Sequence, residues 1–133
     1  MKINNECARK ILLEVEKIPC GGSITVAQLQ EKIVDYSMEE VIQAVTNFGR
    51  DNFILFYDRR GYDESDAFKE NRIKCLTDRG FENLDLIRND DLWNLMKEKI
   101  ENFDELSIYT ILNISKRINN VKYNELFGLP KDY

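Results

Sequence analysis

The sequence predicts an α+β fold, mostly helical, on three observations. Apolar residues recur at helical spacing along most of the chain, and two complete helix-start signals follow each other closely in the first half. Two strand-like runs, Phe53–Tyr57 and Arg72–Leu76, flank a polar stretch directly after those helices. At 133 residues the chain has a common single-domain size. It reads as a core over 1–76 with a helical extension over 77–133 packed on it.

In the first helix, near 6–17, Cys7, Ile11, Val15 and Ile18 form one apolar stripe, with Ala8 and Leu12 beside it. Pro19-Cys20-Gly21-Gly22 stops it, because proline and paired glycine continue a helix only at a cost. Thr25-Val26-Ala27-Gln28 is a capping box, with Ile24 and Leu29 at the staple positions. Ser37-Met38-Glu39-Glu40 repeats the device with Tyr36 and Val41. The helix between them ends near Ile33, so two short helices are joined by Val34-Asp35-Tyr36. The second, about 37–48, buries Val41, Ala44, Val45 and Phe48, and Gly49 stands where a left-handed C-cap is expected.

Phe53-Ile54-Leu55-Phe56-Tyr57 is too short for a helix and rich in strand formers. Its partner is Arg72-Ile73-Lys74-Cys75-Leu76, where polar and apolar residues alternate, and a short strand near Ser23-Ile24 would complete a small sheet. Residues 60–71 between the two runs form a polar tip without a sustained period. Helix, helix, helix and hairpin in that order make a winged helix-turn-helix core, the hairpin being the wing.

The remainder is helical. Leu76 and Phe81 staple a helix capped at Thr77, with Phe81, Leu84 and Ile87 on one side. Asn89-Asp90-Asp91 suits a helix start, although one bent helix over 78–103 satisfies the pattern equally. Trp93, Met96, Ile100 and Phe103 form the next stripe, and Ile108, Ile111, Leu112, Ser115 and Ile118 another. Asn119-Asn120 is expected to turn before a short last helix over Val121–Phe127.

Composition narrows the function. No apolar run approaches the roughly 18 residues that span a bilayer, and the N-terminus has no secretory pattern, which points to a cytoplasmic protein. Cys7, Cys20 and Cys75 are an odd number without a Cys-x-x-Cys and read as reduced thiols. The absence of histidine removes the commonest general base and metal ligand, and no phosphate loop or nucleophile elbow is present. Asp63-Glu64-x-Asp66 and Asp90-Asp91 read as a solvated tip and a helix start rather than metal sites. The sequence therefore points to a non-enzymatic protein without a cofactor.

Two binding roles remain. The outer side of the 37–48 helix carries Gln43, Thr46, Asn47 and Arg50, side chains able to bond base edges in a major groove. Arg59, Arg60 and Lys74, with Arg72, would meet phosphates from the hairpin stem. Charge opposes this reading. The net value is −5, and 58–74 holds Arg59, Arg60, Lys69, Arg72 and Lys74 against Asp58, Asp63, Glu64, Asp66 and Glu70. The other role is a protein partner or self-association through the C-terminal helices, around Trp93, Tyr109 and Tyr123.

The segment Leu76-Thr77-Asp78-Arg79-Gly80-Phe81, continuing through Ile87-Arg88-Asn89-Asp90-Asp91-Leu92-Trp93-Asn94 to Lys97-Glu98-Lys99, resembles a family of uncharacterised phage and prophage proteins. Arg9–Glu16 and the Tyr36-Ser37-x-Glu39-Glu40 turn are also similar, so the resemblance spans most of the chain. Its most specific part is Ile-Arg-Asn-Asp followed by Trp-Asn. The chain departs from it at Asp78-Arg79, where many members have tryptophan or a similar residue. The resemblance implies a phage or prophage origin and a winged-helix fold, and no activity.

Overall fold

The computed structural model describes residues 4–57 and 66–126, and only the backbone over 66–67 and 120–126. Helix α1 (Asn5–Glu16) starts where Asn4 accepts from the Cys7 amide at 3.1 Å. It buries Cys7, Ala8, Ile11, Leu12 and Val15, the predicted stripe. The chain then turns at Gly21, whose φ of +82° suits a residue without a Cβ.

Strand β1 (Ile24–Thr25) leads straight into α2 (Val26–Lys32), and α3 (Met38–Arg50) follows. Both capping boxes form. Gln28 N donates to Thr25 Oγ1 at 3.0 Å while Thr25 N donates to Gln28 Oε1 at 2.9 Å. Glu40 N and Ser37 N make the same exchange at 3.2 and 3.1 Å. Each box satisfies amides that the first helical turn would otherwise leave without partners.

The end of α3 differs from expectation. The helix runs through Gly49 to Arg50, and the left-handed residue is Asn52, at φ 64°. Phe53 N donates to Phe48 O at 2.8 Å and Asn52 N to Gly49 O at 3.3 Å, the paired bonds of a Schellman cap. The accompanying apolar contact is the stack of Phe48 on Phe53, with centroids 5.3 Å apart. Closing the cap on Phe53 outweighs glycine's preference for the left-handed region, and asparagine tolerates that region well.

Strands β2 (Ile54–Phe56) and β3 (Arg72–Leu76) pair antiparallel, and β1 joins the other side of β3, giving the order β1-β3-β2. Leu55 opposes Cys75 but Phe56 opposes Ile73, so β3 bulges at Lys74. The bulge changes which side chains point inward. Ile73 and Leu76 are buried three residues apart, and strict alternation over 72–76 does not hold.

Between the two strands lies α4 (Asp66–Lys69), where the sequence suggested only a polar tip. It carries the fully buried Phe68, edge-on to Phe56 at 6.3 Å. Asp63 and Glu64 lie outside the described residues, as does the side chain of Asp66.

Helix α5 (Asp78–Ile87) is capped by Thr77, which accepts from Gly80 N at 3.0 Å. Leu84 and Ile87 are buried, but Phe81 is 41% exposed. Asn89 caps α6 (Asp90–Lys99) by accepting from Leu92 N at 3.0 Å, so 78–103 is two helices and not one bent helix. Phe103 sits in a 3-10 turn (Phe103–Glu105). Helix α7 (Ile108–Leu126) continues through Asn119-Asn120, where a turn was expected.

Helix α1 is the hub, touching α2, α3, β3, α5 and α7. One apolar cluster runs from Cys7 to Leu112 and includes Val41, Val45, Phe48, Leu29 and Leu84. Tyr109 of α7 packs edge-on to Phe53 at 5.8 Å and donates its hydroxyl to Asp51 at 2.5 Å. Burial first, and then that carboxylate, hold the phenol protonated above its ordinary range. Among the described residues, no helix is long and apolar enough to cross a membrane.

Candidate nucleic-acid interface

The four residues expected on the outer side of α3 are not equivalent. Arg50 is exposed and pairs with Asp51 at 3.6 Å. Asn47 is half-buried; its Nδ2 donates to Gln43 O at 2.8 Å and its Oδ1 accepts from Arg50. Its amide therefore serves the helix before it can serve a base. Thr46 is half-buried, and its hydroxyl is buried with no hydrogen-bond partner among the described residues. Gln43 is half-buried and engaged in an intramolecular contact. The exposed Glu39 in the first turn suits the positive end of the helix dipole and opposes phosphate there.

The outer side of the sheet is different. Leu55 and Tyr57 project outward from β2 and the residue after it, 45% and 40% exposed. Across the ladder, Arg72 and Lys74 are exposed on β3. The Arg72 guanidinium lies 5.0 Å from the Tyr57 ring centroid, and the Lys74 ammonium 5.5 Å from it. The bulge at Lys74 explains this grouping, because it adds an outward residue without displacing Ile73 or Leu76 from the core. Tyr57 also donates its hydroxyl to Gly22 O at 3.0 Å, which fixes the ring against the turn before β1. Arg72 and Lys74 form no ion pair with another described residue. Arg59 and Arg60, expected on the same stem, lie outside the described residues.

Trp93, expected as a partner-binding aromatic, is buried, edge-on to Phe103 at 5.1 Å, and donates Nε1 to Glu6 at 3.1 Å. Tyr109 is held by Phe53 and Asp51 as described above. The side chain of Tyr123 lies outside the described residues.

A residue that sequence reasoning passed over organises the C-terminal half. Arg9, only 7% exposed on α1, donates Nε to Ile87 O at 2.8 Å and Nη2 to Arg88 O at 2.9 Å. The same Nη2 meets Asp90 Oδ1 at 2.6 Å, and the guanidinium lies 5.1 Å from the Trp93 ring. Arg88 in turn reaches Glu16, and Lys97 reaches Glu6 at 2.9 Å. The Ile87-Arg88-Asn89-Asp90 to Trp93 segment is thus a joint that fastens α5 and α6 to α1. The visible signal was a charged residue lying between Ala8 and Ile11 in the apolar stripe of α1.

A family model matches residues 2–106, from the start of the chain to the 3-10 turn. The chain belongs to that family, described as Hypothetical protein (DUF2513). The match covers both halves of the Arg9 joint and the whole of the sheet. No curated protein and no solved structure matches the chain.

Proposed function

We propose that this is a non-enzymatic winged-helix protein of phage or prophage type that binds duplex DNA, with the sheet face as its principal phosphate-holding surface. The observation that carries the reading is the pair Arg72 and Lys74, exposed around Tyr57 without an ion pair to another described residue. The element order supports the fold assignment, since α1, β1, α2, α3, β2 and β3 follow one another as in a winged helix. Phosphate contacts supply most of the sequence-independent affinity for DNA, and long cationic side chains on a strand pair suit that work. Base reading by α3 is modest, because Thr46 is turned inward and Asn47 bonds its own helix. Binding is therefore weak, salt-sensitive and little dependent on sequence.

The test is a titration of mixed-sequence duplex at low ionic strength, parent against Arg72→Glu/Lys74→Glu. The parent binds and the variant does not. For smaller substitutions, each lost phosphate contact lowers the slope of log affinity against log salt by about 0.9. No binding by the parent, or equal binding by both proteins, overturns the reading.

A protein-interaction module is the second reading, favoured by Phe81 and Leu95, 41% and 50% exposed on α5 and α6. It predicts a concentration-dependent increase in mass by sedimentation, abolished by Phe81→Ser/Leu95→Ser. A monomer at every concentration counts against self-association.

A further inference from the structure

We infer that the sheet face takes unpaired nucleotides in preference to intact duplex, with Tyr57 as the platform for one base; this rests on the reading of that face as a nucleic-acid surface. Phosphate contact alone would need only Arg72 and Lys74. The face also holds Tyr57 and Leu55 in water, 40% and 45% exposed. An aromatic ring among cations is the pairing used to hold single strands: bases stack on the ring while the cations follow the backbone.

The ring is set in place before any ligand arrives. Its hydroxyl is tied to Gly22 O at 3.0 Å, so stacking orders little that is not already ordered. Arg72 and Lys74 now lie 5.0 and 5.5 Å from the ring centroid. Both are long, flexible side chains that can turn from the ring to the phosphates on either side of a stacked base. A base inside a duplex is stacked on its neighbours and cannot lie flat on a sheet surface. The chemistry selected is therefore single-stranded DNA, or the unpaired stretch of a gapped duplex.

The experiment compares a fluorescein-labelled thymidine oligomer with a duplex of equal length, by anisotropy at low salt, for the full chain and two variants. Tyr57→Leu lowers single-strand affinity about tenfold, within the range for one stacked base, and leaves duplex affinity within about twofold. Tyr57→Phe keeps the ring and retains single-strand binding. Duplex bound as tightly as the single strand by the parent, or unchanged single-strand binding by Tyr57→Leu, overturns this inference and leaves the duplex reading standing. If neither nucleic acid binds, the duplex reading fails and this one fails with it. Should Tyr57→Leu melt below the assay temperature, a single strand carrying 2-aminopurine decides the question with the parent protein. Stacking quenches that base, and undiminished fluorescence on binding refutes a platform.

Discussion

Replacing Arg9 with alanine removes the guanidinium that ties α1 to the end of α5. The guanidinium satisfies the Ile87 and Arg88 carbonyls at 2.8 and 2.9 Å, at the end of α5 where no helical amide can reach them. Hydrogen bonds to a charged group contribute about 1.5–3 kcal/mol each. Two of them, reduced by about 2 kcal/mol for the side-chain entropy that arginine recovers, leave a loss of about 1–4 kcal/mol. The Asp90 contact adds little, because that carboxylate is 82% exposed and water takes over its solvation. Urea unfolding should thus show a lower midpoint for Arg9→Ala with an unchanged slope, and Asp90→Asn should shift the midpoint far less. Equal losses for the two variants would mean that the ion pair, and not carbonyl capping, holds the joint. A midpoint for Arg9→Ala indistinguishable from the parent's would refute the part given to Arg9 in the joint.

Other positions offer independent tests of the packing. Phe48 is fully buried between Phe53 and Tyr109, so Phe48→Ala should cost about 3–5 kcal/mol in the same assay, and an unchanged midpoint would contradict that placement. A Cβ at Gly80 would lie 2.1 Å from Phe53 O, so Gly80→Ala should destabilise by about 1–3 kcal/mol, against the usual gain from alanine in a helix; a stabilised variant would show that α5 is not seated as described. Burial alone would raise the Glu6 carboxyl, but hydrogen bonds from Lys97 and Trp93 bring it below its ordinary value of 4.5. Its contribution is present above that value and lost as pH falls below it, so Glu6→Gln should flatten acid destabilisation there, and an identical acid limb would discount the network.

Much of the fold was legible because its signals are local. Thr25 with Gln28 and Ser37 with Glu40 fix helix starts within four residues, and no distant contact needs to be known. What escaped depends on packing between segments. Gly49 carries the left-handed preference, yet Asn52 adopts that conformation because Phe53 must return onto Phe48. Phe68 sits in a polar stretch with no sustained apolar period, and its burial depends on α4 packing beside Phe56 and against α2. Phe81 has the spacing of a staple, yet it stays 41% exposed on the outer side of α5. At Asn119-Asn120 a pair of turn-favouring residues is carried through by the helix on either side. On the candidate surface, Arg50, Arg72 and Lys74 were readable as exposed cations. The inward turn of Thr46 and the gathering of two cations on Tyr57 required the bulge in β3 and the helix orientation to be known.

On the reading proposed above, nucleic acid meets the outer side of the sheet. Backbone amide shifts of the isotopically labelled protein, followed while DNA is added at low salt, test it most directly. Leu55, Tyr57, Arg72 and Lys74 should move first and together, with Arg50 following, while amides along α6 remain still. Shifts confined to α5 and α6 around Phe81 and Leu95, or no shifts at all, would contradict it.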